Sequence, residues 1–258
     1  MPLQALLWDV DGTLAESERD GHRVAFNRAF EDAGLPWRWD EAHYGALLRI
    51  TGGRERLLHD MASRGDAPAL PDERLALAAE LHRRKNAHYA EIVAAGQIPL
   101  RAGVMALIDE AASAGLKQGI ATTTSRANLQ ALLQRHLGPR WSAIFEIAVC
   151  GEDVSAKKPD PEVYQRALAG LGVSFVDTLA IEDSPGGVAA ARAARVPVIV
   201  TRSAYFADDM IDSAIAIGPG LHTRSGWRPA TAAPSDGPVR LSDLRDWHTR
   251  GEWVSHLG

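Results

Sequence analysis

An open α/β fold, built on a parallel sheet and interrupted by an all-helical insert, is what the sequence predicts. Three observations predict it. From about residue 98 to residue 201, helix-patterned segments alternate with short apolar runs, the mark of successive βαβ units. The run Leu3–Trp8 has the same buried-strand character and belongs to the same sheet. Between them the chain is patterned as helix and holds no strand-like run. The expected organisation is a discontinuous sheet domain, residues 1–14 and 98–258, with a helical domain over residues 15–97.

Taken in order, the elements are justified as follows. Val24, Ala25, Phe26, Ala29, Phe30 and Ala33 form an apolar stripe at helical spacing, and Gly34 fits the position just past a helix end. A longer helix is expected from about Asp72 to Val93, with Leu75, Ala78, Ala79 and Leu81 on its apolar side. Then follow a helix over Val104–Ala114, the strand Leu116–Thr122, a helix over Ala127–Leu137 and the strand Ile144–Cys150. Asp160 and Pro161 read as N-cap and first residue of a helix running to Leu171. The strand Asp177–Glu182, a helix over Gly187–Ala194 and the strand Val196–Thr201 complete the alternation. The stretch Gly218–Pro238, rich in Gly, Pro, Ser, Thr and Ala, reads as a loose linker, and Leu241–Trp247 as a last helix packing back on the sheet.

The 258 residues are 46% hydrophobic and 24% charged, with a formal net charge of −5. This is the balance of a soluble globular protein, and no dense Lys/Arg block suggests a nucleic-acid surface. Cys150, the single cysteine, rules out an internal disulfide and sits in an apolar run, where a small buried side chain is expected. No apolar stretch reaches the ~18 residues of a membrane span, and the N-terminus lacks the basic start of a signal peptide. A cytoplasmic, monomeric protein acting on a small molecule is the expectation.

The chemistry gathers where open α/β sheets collect ligands, at the C-terminal ends of strands. The first strand ends in Asp9 and Asp11, followed by Gly12 and Thr13; the second in Thr122, Thr123, Thr124 and Ser125. Lys157, Lys158, Pro159 and Asp160 follow the third, and the fourth ends in Glu182 and Asp183 before Ser184, Pro185, Gly186 and Gly187. Each alone could be a turn or a helix cap; their occurrence together, in this order, points to a site. Asp9, Asp11, Glu182 and Asp183 bring carboxylates towards one point, where without a cation they would repel and take up protons. Hard oxygen ligands in a partly open site favour Mg²⁺, and Mg²⁺ suits a phosphate substrate. Thr122 offers a hydroxyl to phosphoryl oxygens and Lys158 a fixed positive charge. A carboxylate is already ionised at neutral pH, so an aspartate nucleophile needs no activating base.

The set DVDGT, IATTTS, KKPDP and EDSPGG resembles the four motifs of the haloacid dehalogenase (HAD) superfamily of phosphotransferases. The resemblance implies a HAD-like Rossmannoid open parallel sheet with an inserted α-helical C1 cap. It implies further that Asp9 attacks phosphorus and forms an aspartyl-phosphate, and that Asp11 protonates the leaving oxygen and then activates water. Thr122 and Lys158 would hold the phosphoryl group. Mg²⁺ would be held by the Asp9 side chain, the Asp11 main-chain carbonyl and Asp183, with Glu182 bound directly or through water. The dehalogenases of the superfamily lack the second aspartate; its presence here as Asp11 argues against dehalogenation.

The cap is similar to that of the CbbY-type sugar-phosphate phosphatases. The likeness rests on Ala15–Glu18, His22–Asn27, Trp37–Asp40 and Thr51–Arg56; Arg54 stands where Lys is common, which keeps the charge and changes its geometry. The implied substrate is xylulose 1,5-bisphosphate, losing its 1-phosphate. Glu18, His22, Thr51, Gly52, Gly53 and Arg54 of the cap, with Thr122, Thr123, Thr124, Ser125 and Lys158, are the expected substrate contacts, and Arg54, Gly52, Gly53, Thr124 and Ser125 the expected readers of a second phosphate. The tryptophans read as cap packing. A β-phosphoglucomutase-like isomerase, a phosphoglycolate-type phosphatase and a non-catalytic binding protein on the same scaffold are the alternatives.

Overall fold

The structure, a computed structural model, describes residues 2–251. Its centre is a sheet of six strands: β1 (Ala5–Trp8), β2 (Lys117–Ala121), β3 (Ile147–Val149), β4 (Thr178–Glu182), β5 (Val198–Thr201) and β6 (Ala216–Gly218). The spatial order is β3-β2-β1-β4-β5-β6, and every pairing is parallel. The order reverses direction at β1, so the crevice beside its C-terminal end is a topological switch point. Register fixes what meets there. Trp8 pairs with Ile120 on one side and Ile181 on the other, so Asp9, Ala121 and Glu182 emerge level with one another one residue later.

The helices are α1 (Arg23–Asp32), α2 (Glu41–Leu47), α3 (Gly53–Ser63), α4 (Pro71–Ala94), α5 (Val104–Ser113), α6 (Arg126–Leu137), α7 (Trp141–Ile144), α8 (Glu162–Leu171), α9 (Pro185–Ala193) and α10 (Leu241–Arg250). One face of the sheet buries Leu6, Trp8, Ile120, Leu179 and Ile181 against α5, α6 and α10; the other buries Leu7, Ala121 and Ala180 against α8 and α9. A separate core sits within the helical section: Phe26 and Phe30 of α1, Trp37, Trp39, Tyr44, Leu57, Met61 and Leu81. The tryptophans are packing, as expected. Trp39 lies tilted on Phe26 at 4.7 Å and edge-on to Phe30 at 5.0 Å, while its indole N–H donates to Asp60 at 2.8 Å. Gly34, at φ +65°, closes α1: its N–H donates to Glu31 O and that of Leu35 to Phe30 O, which satisfies the carbonyls of the last turn. The far half of α4 joins the main core through Tyr89, Ile92 and Val93, which seats the helical section on the sheet.

Four sequence expectations are corrected. The strand expected over Ile144–Cys150 shrinks to Ile147–Val149, because Ile144 closes α7 and β3 is an edge strand with one neighbour. The helix expected at Asp160–Pro161 begins at Glu162; Pro161 takes the cap position, and Asp160 accepts from the Glu162 N–H at 2.9 Å. The helix expected from Gly187 begins at Pro185, capped by Ser184. Gly218–Pro238 is no loose linker: Leu221 and Trp227 are buried in the main core, Trp227 stacks on Trp247 at 4.5 Å, and Gly218 is the last residue of β6, a strand that sequence patterning does not reveal.

Candidate active site

The three level positions at the switch point are joined by one side chain. Lys158, in the loop before α8, is buried, and its ammonium donates to Asp9 Oδ1 at 2.7 Å, Glu182 Oε1 at 2.6 Å and the Ala121 carbonyl at 2.8 Å. All three of its protons are thus spent on the ends of β1, β2 and β4. Glu182 Oε1 also accepts from the hydroxyl of Tyr164 on α8, at 2.5 Å. Asp183 stands beside them, and oxygens of Asp9, Glu182 and Asp183 lie within 4.8 Å of one another. Two glycines make the approach possible: a Cβ on Gly12, at φ +88°, would fall 2.0 Å from Asp183 Oδ2, and one on Gly187 would fall 2.0 Å from Glu182 Oε2.

This density of charge is under tension. Burial, with help from Glu182, pushes the Asp9 carboxyl up to about 7 even though Lys158 pulls it down. Burial and the charges of Asp9 and Glu182 push Asp183 well above the usual carboxylate range. Lys158, which burial alone would lower, is raised by Asp9 and Glu182. A cluster of buried carboxylates with too little positive charge is the donor set that a hard divalent cation satisfies.

Asp11 faces a different neighbourhood. Its carboxylate accepts from the Ser17 hydroxyl and lies 2.9 Å from His22 Nε2. Burial would raise its pKa, but His22, Ser17 and Lys85 outweigh that and hold it well below the usual range. His22 is itself fixed by stacking on Tyr89, ring centres 4.1 Å apart. Asp11 therefore lines the same cleft as Asp9 without joining the carboxylate cluster.

The cleft has two lobes. The larger, of about 200 Å³, is lined by Asp9, Asp11, Thr122, Lys158 and Asp183 from the sheet side, by Glu18, Thr51, Gly52 and Arg56 from the helical section, and by Phe206 from the loop after β5. A smaller lobe, of about 40 Å³, lies among His22, Gly53, His82, Lys85, Thr124, Ser125 and Asn128. Asp11, Glu18, Gly52, Arg56 and Thr123 line both. Arg56 is buried, donates to the Tyr44 hydroxyl at 3.0 Å and lies 3.9 Å from Glu18 Oε2; Tyr44 in turn donates to Glu18. Lys85 is buried over the rings of Phe26 and Tyr89, each 5.3 Å away, and burial lowers its pKa to about 8; the same effect, with Lys85 beside it, lowers His82 to about 4.

Of the residues singled out from sequence, Asp9, Asp11, Thr122, Thr123, Lys158, Asp183, Glu18, Thr51 and Gly52 meet in the larger lobe, and His22, Gly53, Thr124 and Ser125 in the smaller. Glu182 is wholly buried behind Asp9 and Asp183. Two expectations change. Arg54 is exposed and lines neither lobe; two residues on, a rotation of about 200° along α3, Arg56 faces inward instead. The Ser125 hydroxyl is engaged in capping α6, accepting from the Asn128 N–H at 3.3 Å. Sequence reasoning misses Tyr164, Lys85, Asn128 and Phe206: each is one residue within an ordinary helix or loop, and only the fold shows which way it points.

Strand ends that gather carboxylates and a lysine beneath a helical roof define a phosphoester hydrolase of the α/β class. The chain belongs to the haloacid dehalogenase-like hydrolases, whose family model matches residues 3–195, and it is a phosphatase of that family. It is 44% identical to the plasmid protein CbbY of Cupriavidus necator over 95% of this chain and 97% of that one. It is 32% identical to a phosphoglycolate phosphatase of Rhodospirillum rubrum, over 92% and 95%. Among solved structures it resembles CbbY from Rhodobacter sphaeroides, an aspartate-to-asparagine variant in complex with xylulose-(1,5)bisphosphate. The TM-score is 0.77 at 38% identity, covering 82% of this chain and 92% of that one.

Proposed function

We propose that this chain is a Mg²⁺-dependent sugar-bisphosphate phosphatase that converts xylulose 1,5-bisphosphate to xylulose 5-phosphate and phosphate through a phosphorylated Asp9. The observation that carries this reading is the two-lobed cleft: Asp9 and Lys158 stand in one lobe, and the buried cation Lys85 in a second, with Arg56 between them. A substrate with a phosphate at each end matches that spacing of positive charge better than a monophosphate does. The likeness to CbbY bound to that bisphosphate supports the same choice.

Asp9 forms the bond to phosphorus while the bond from phosphorus to the C1 oxygen breaks. Lys158 and the Thr122 hydroxyl hold the phosphoryl oxygens. Asp11 and His22, 2.9 Å apart, form the proton-handling pair: a proton passes to the leaving oxygen, and the pair then takes one from the water that cleaves the phosphoaspartate. Asp9, Asp183 and the Asp11 carbonyl would hold Mg²⁺, whose charge relieves the repulsion between the carboxylates and the phosphate. Glu182, tied to Lys158 and Tyr164, acts in this reading by orienting the lysine. The helical section, residues 15–97, is the cap that closes over the substrate and reads its second phosphate.

The test is a product assay with Mg²⁺ on three compounds: xylulose 1,5-bisphosphate, 2-phosphoglycolate and β-glucose 1-phosphate. The expected result is phosphate release with the bisphosphate at the highest kcat/KM. Phosphoglycolate ranking first would move the substrate to that class. Conversion of β-glucose 1-phosphate without net phosphate release would replace the phosphatase reading with an isomerase.

A further inference from the structure

Arg101 touches neither lobe of the cleft, yet it joins the segments that build it. It lies where the chain returns from the helical section to the sheet. Its main-chain N–H donates to Leu14 O at 2.8 Å, and Leu100 forms an antiparallel bridge with Ala15, so the two crossings of the chain meet here. The guanidinium, 12% exposed, faces the Glu16 carboxylate through Nε at 3.4 Å and otherwise spends its donors on separate segments, reaching the Thr201 hydroxyl at 3.2 Å and several carbonyls. Nη1 donates to Gly12 O and, at 3.1 Å, to Thr201 O; Nη2 donates to Arg202 O at 2.6 Å and Pro219 O at 3.3 Å. The other side of Gly12 is pressed against the Asp183 carboxylate, with no room there for a Cβ. Arg101 thus backs the turn that carries the Asp11 carbonyl on one side and contacts Asp183 on the other. A planar fork spreads five donors over three nitrogens and so reaches carbonyls of separate segments; an ammonium carries its three donors on one nitrogen and reaches only acceptors gathered around that atom.

We infer that Arg101 is a positioning residue that sets the affinity for Mg²⁺ by clamping the Asp11–Gly12 turn against Asp183. The inference rests on the Mg²⁺ reading above. Removing an outer partner of a metal site typically costs 10–100-fold in affinity. Calorimetric titration of the metal-free protein with Mg²⁺ tests this directly, with no substrate present. Arg101→Ala should raise the Kd for Mg²⁺ by about 10-fold or more, and Arg101→Lys by an intermediate factor. Millimolar methylguanidinium should restore part of the affinity in Arg101→Ala and leave the wild type unchanged. With p-nitrophenyl phosphate at saturating Mg²⁺, KM should stay within about twofold, because Arg101 contacts no substrate. A Kd for Mg²⁺ within about twofold of wild type in both variants would overturn the inference, whatever happened to their thermal midpoints. Should Arg101→Ala fail to fold, Arg101→Lys alone decides. A wild-type protein that bound no Mg²⁺ would overturn the metal reading itself, a failure visible before any substitution is made.

Discussion

The two sides of the cleft are built by different means. On the sheet side, Asp9, Ala121 and Glu182 leave adjacent parallel strands at the same level, with Thr122 and Asp183 one residue further on, and a single ammonium ties the three strand ends together at 2.6–2.8 Å. On the helical side, Glu18, Arg56, His22 and Lys85 come from three different segments: a π-helical turn (Glu18–His22), α3 and α4. Their facing depends on helix phase and on how Phe26, Trp39 and Tyr44 pack beneath them. A strand end constrains a side chain through register, shared with both neighbouring strands; a helix constrains it through rotation, where an error of one or two residues turns it to solvent. In the function proposed above, the sheet side therefore carries the chemistry and the helical side the choice of substrate.

The sharpest test of this division removes the proposed nucleophile alone. Asp9→Asn should lower kcat by at least about 10³-fold, as loss of a covalent nucleophile does elsewhere. The fold should survive, because the change is nearly isosteric and removes one of the repelling carboxylates. Phosphate release and thermal unfolding measured on one preparation check both halves. Turnover near the wild-type level would break the division at its centre.

The helical side should respond differently, in KM and by helix phase. Arg56→Ala should raise KM for a bisphosphate by about 10-fold or more, the scale expected when one charge-assisted hydrogen bond is removed from a desolvated site. Arg54→Ala should move it by less than about twofold. Arg56 also donates to the Leu47 carbonyl and the Tyr44 hydroxyl, so the comparison is read on variants whose thermal midpoints are matched, with Arg56→Lys as the conservative partner. Equal effects at positions 54 and 56 would show that α3 does not present Arg56 to the substrate.

This is also where the sequence stops being legible. The strands ending in DVDGT, IATTTS and EDSPGG can be placed because short segments with an apolar centre, set between helix-patterned segments, fit a buried parallel strand, and their chemistry is contiguous with them. TGGRER offers two arginines on one short helix and no means of choosing between them; Lys85 sits in a charged run, HRRKN, that reads as a solvated face. Tyr164 looks like one apolar residue on α8, although its hydroxyl reaches Glu182. The edge strand β6 is hidden because three residues beside a Gly- and Pro-rich stretch carry too little pattern, and that stretch is held by Trp227 on Trp247, residues about twenty apart in the chain.

The sheet side should also show a proton linkage to the metal. In the metal-free protein Asp9 titrates at about 7, above the 3.8 of a free aspartate, and Asp183 is raised as well. A raised carboxyl holds a proton in the fold that the unfolded chain has already lost. Its contribution therefore favours the folded state at low pH and is lost as pH rises through about 7. The cation competes for those same oxygens. Binding Mg²⁺ at pH 6–7 should release protons, and its apparent affinity should climb as pH rises through 7. Calorimetry in buffers of different ionisation heat counts the protons. Affinity that stayed flat from pH 6 to pH 8 would mean either that the carboxylates are already ionised or that the metal binds elsewhere, and would overturn the linkage.

The smallest effect concerns the seam between the two sides. Lys157, next to the buried Lys158, donates to Glu55 of α3 at 2.6 Å, a direct ion pair between the sheet-side loop and the helical roof. Neither partner is deeply buried, with side chains 25% and 45% exposed, so the pair is worth about 0.2–1 kcal/mol. If it holds the roof closed, Lys157→Ala should raise KM by no more than about fivefold, with the effect shrinking as salt is added. Glu55→Ala should do the same, and the double variant should be no worse than either single one, because one bond can be broken only once. Additive effects on KM would show that the two residues act independently. The seam would then be held by apolar packing elsewhere, and the edge-on approach of Tyr44 to Tyr205 at 5.9 Å, between α2 and the loop after β5, becomes the next contact to break.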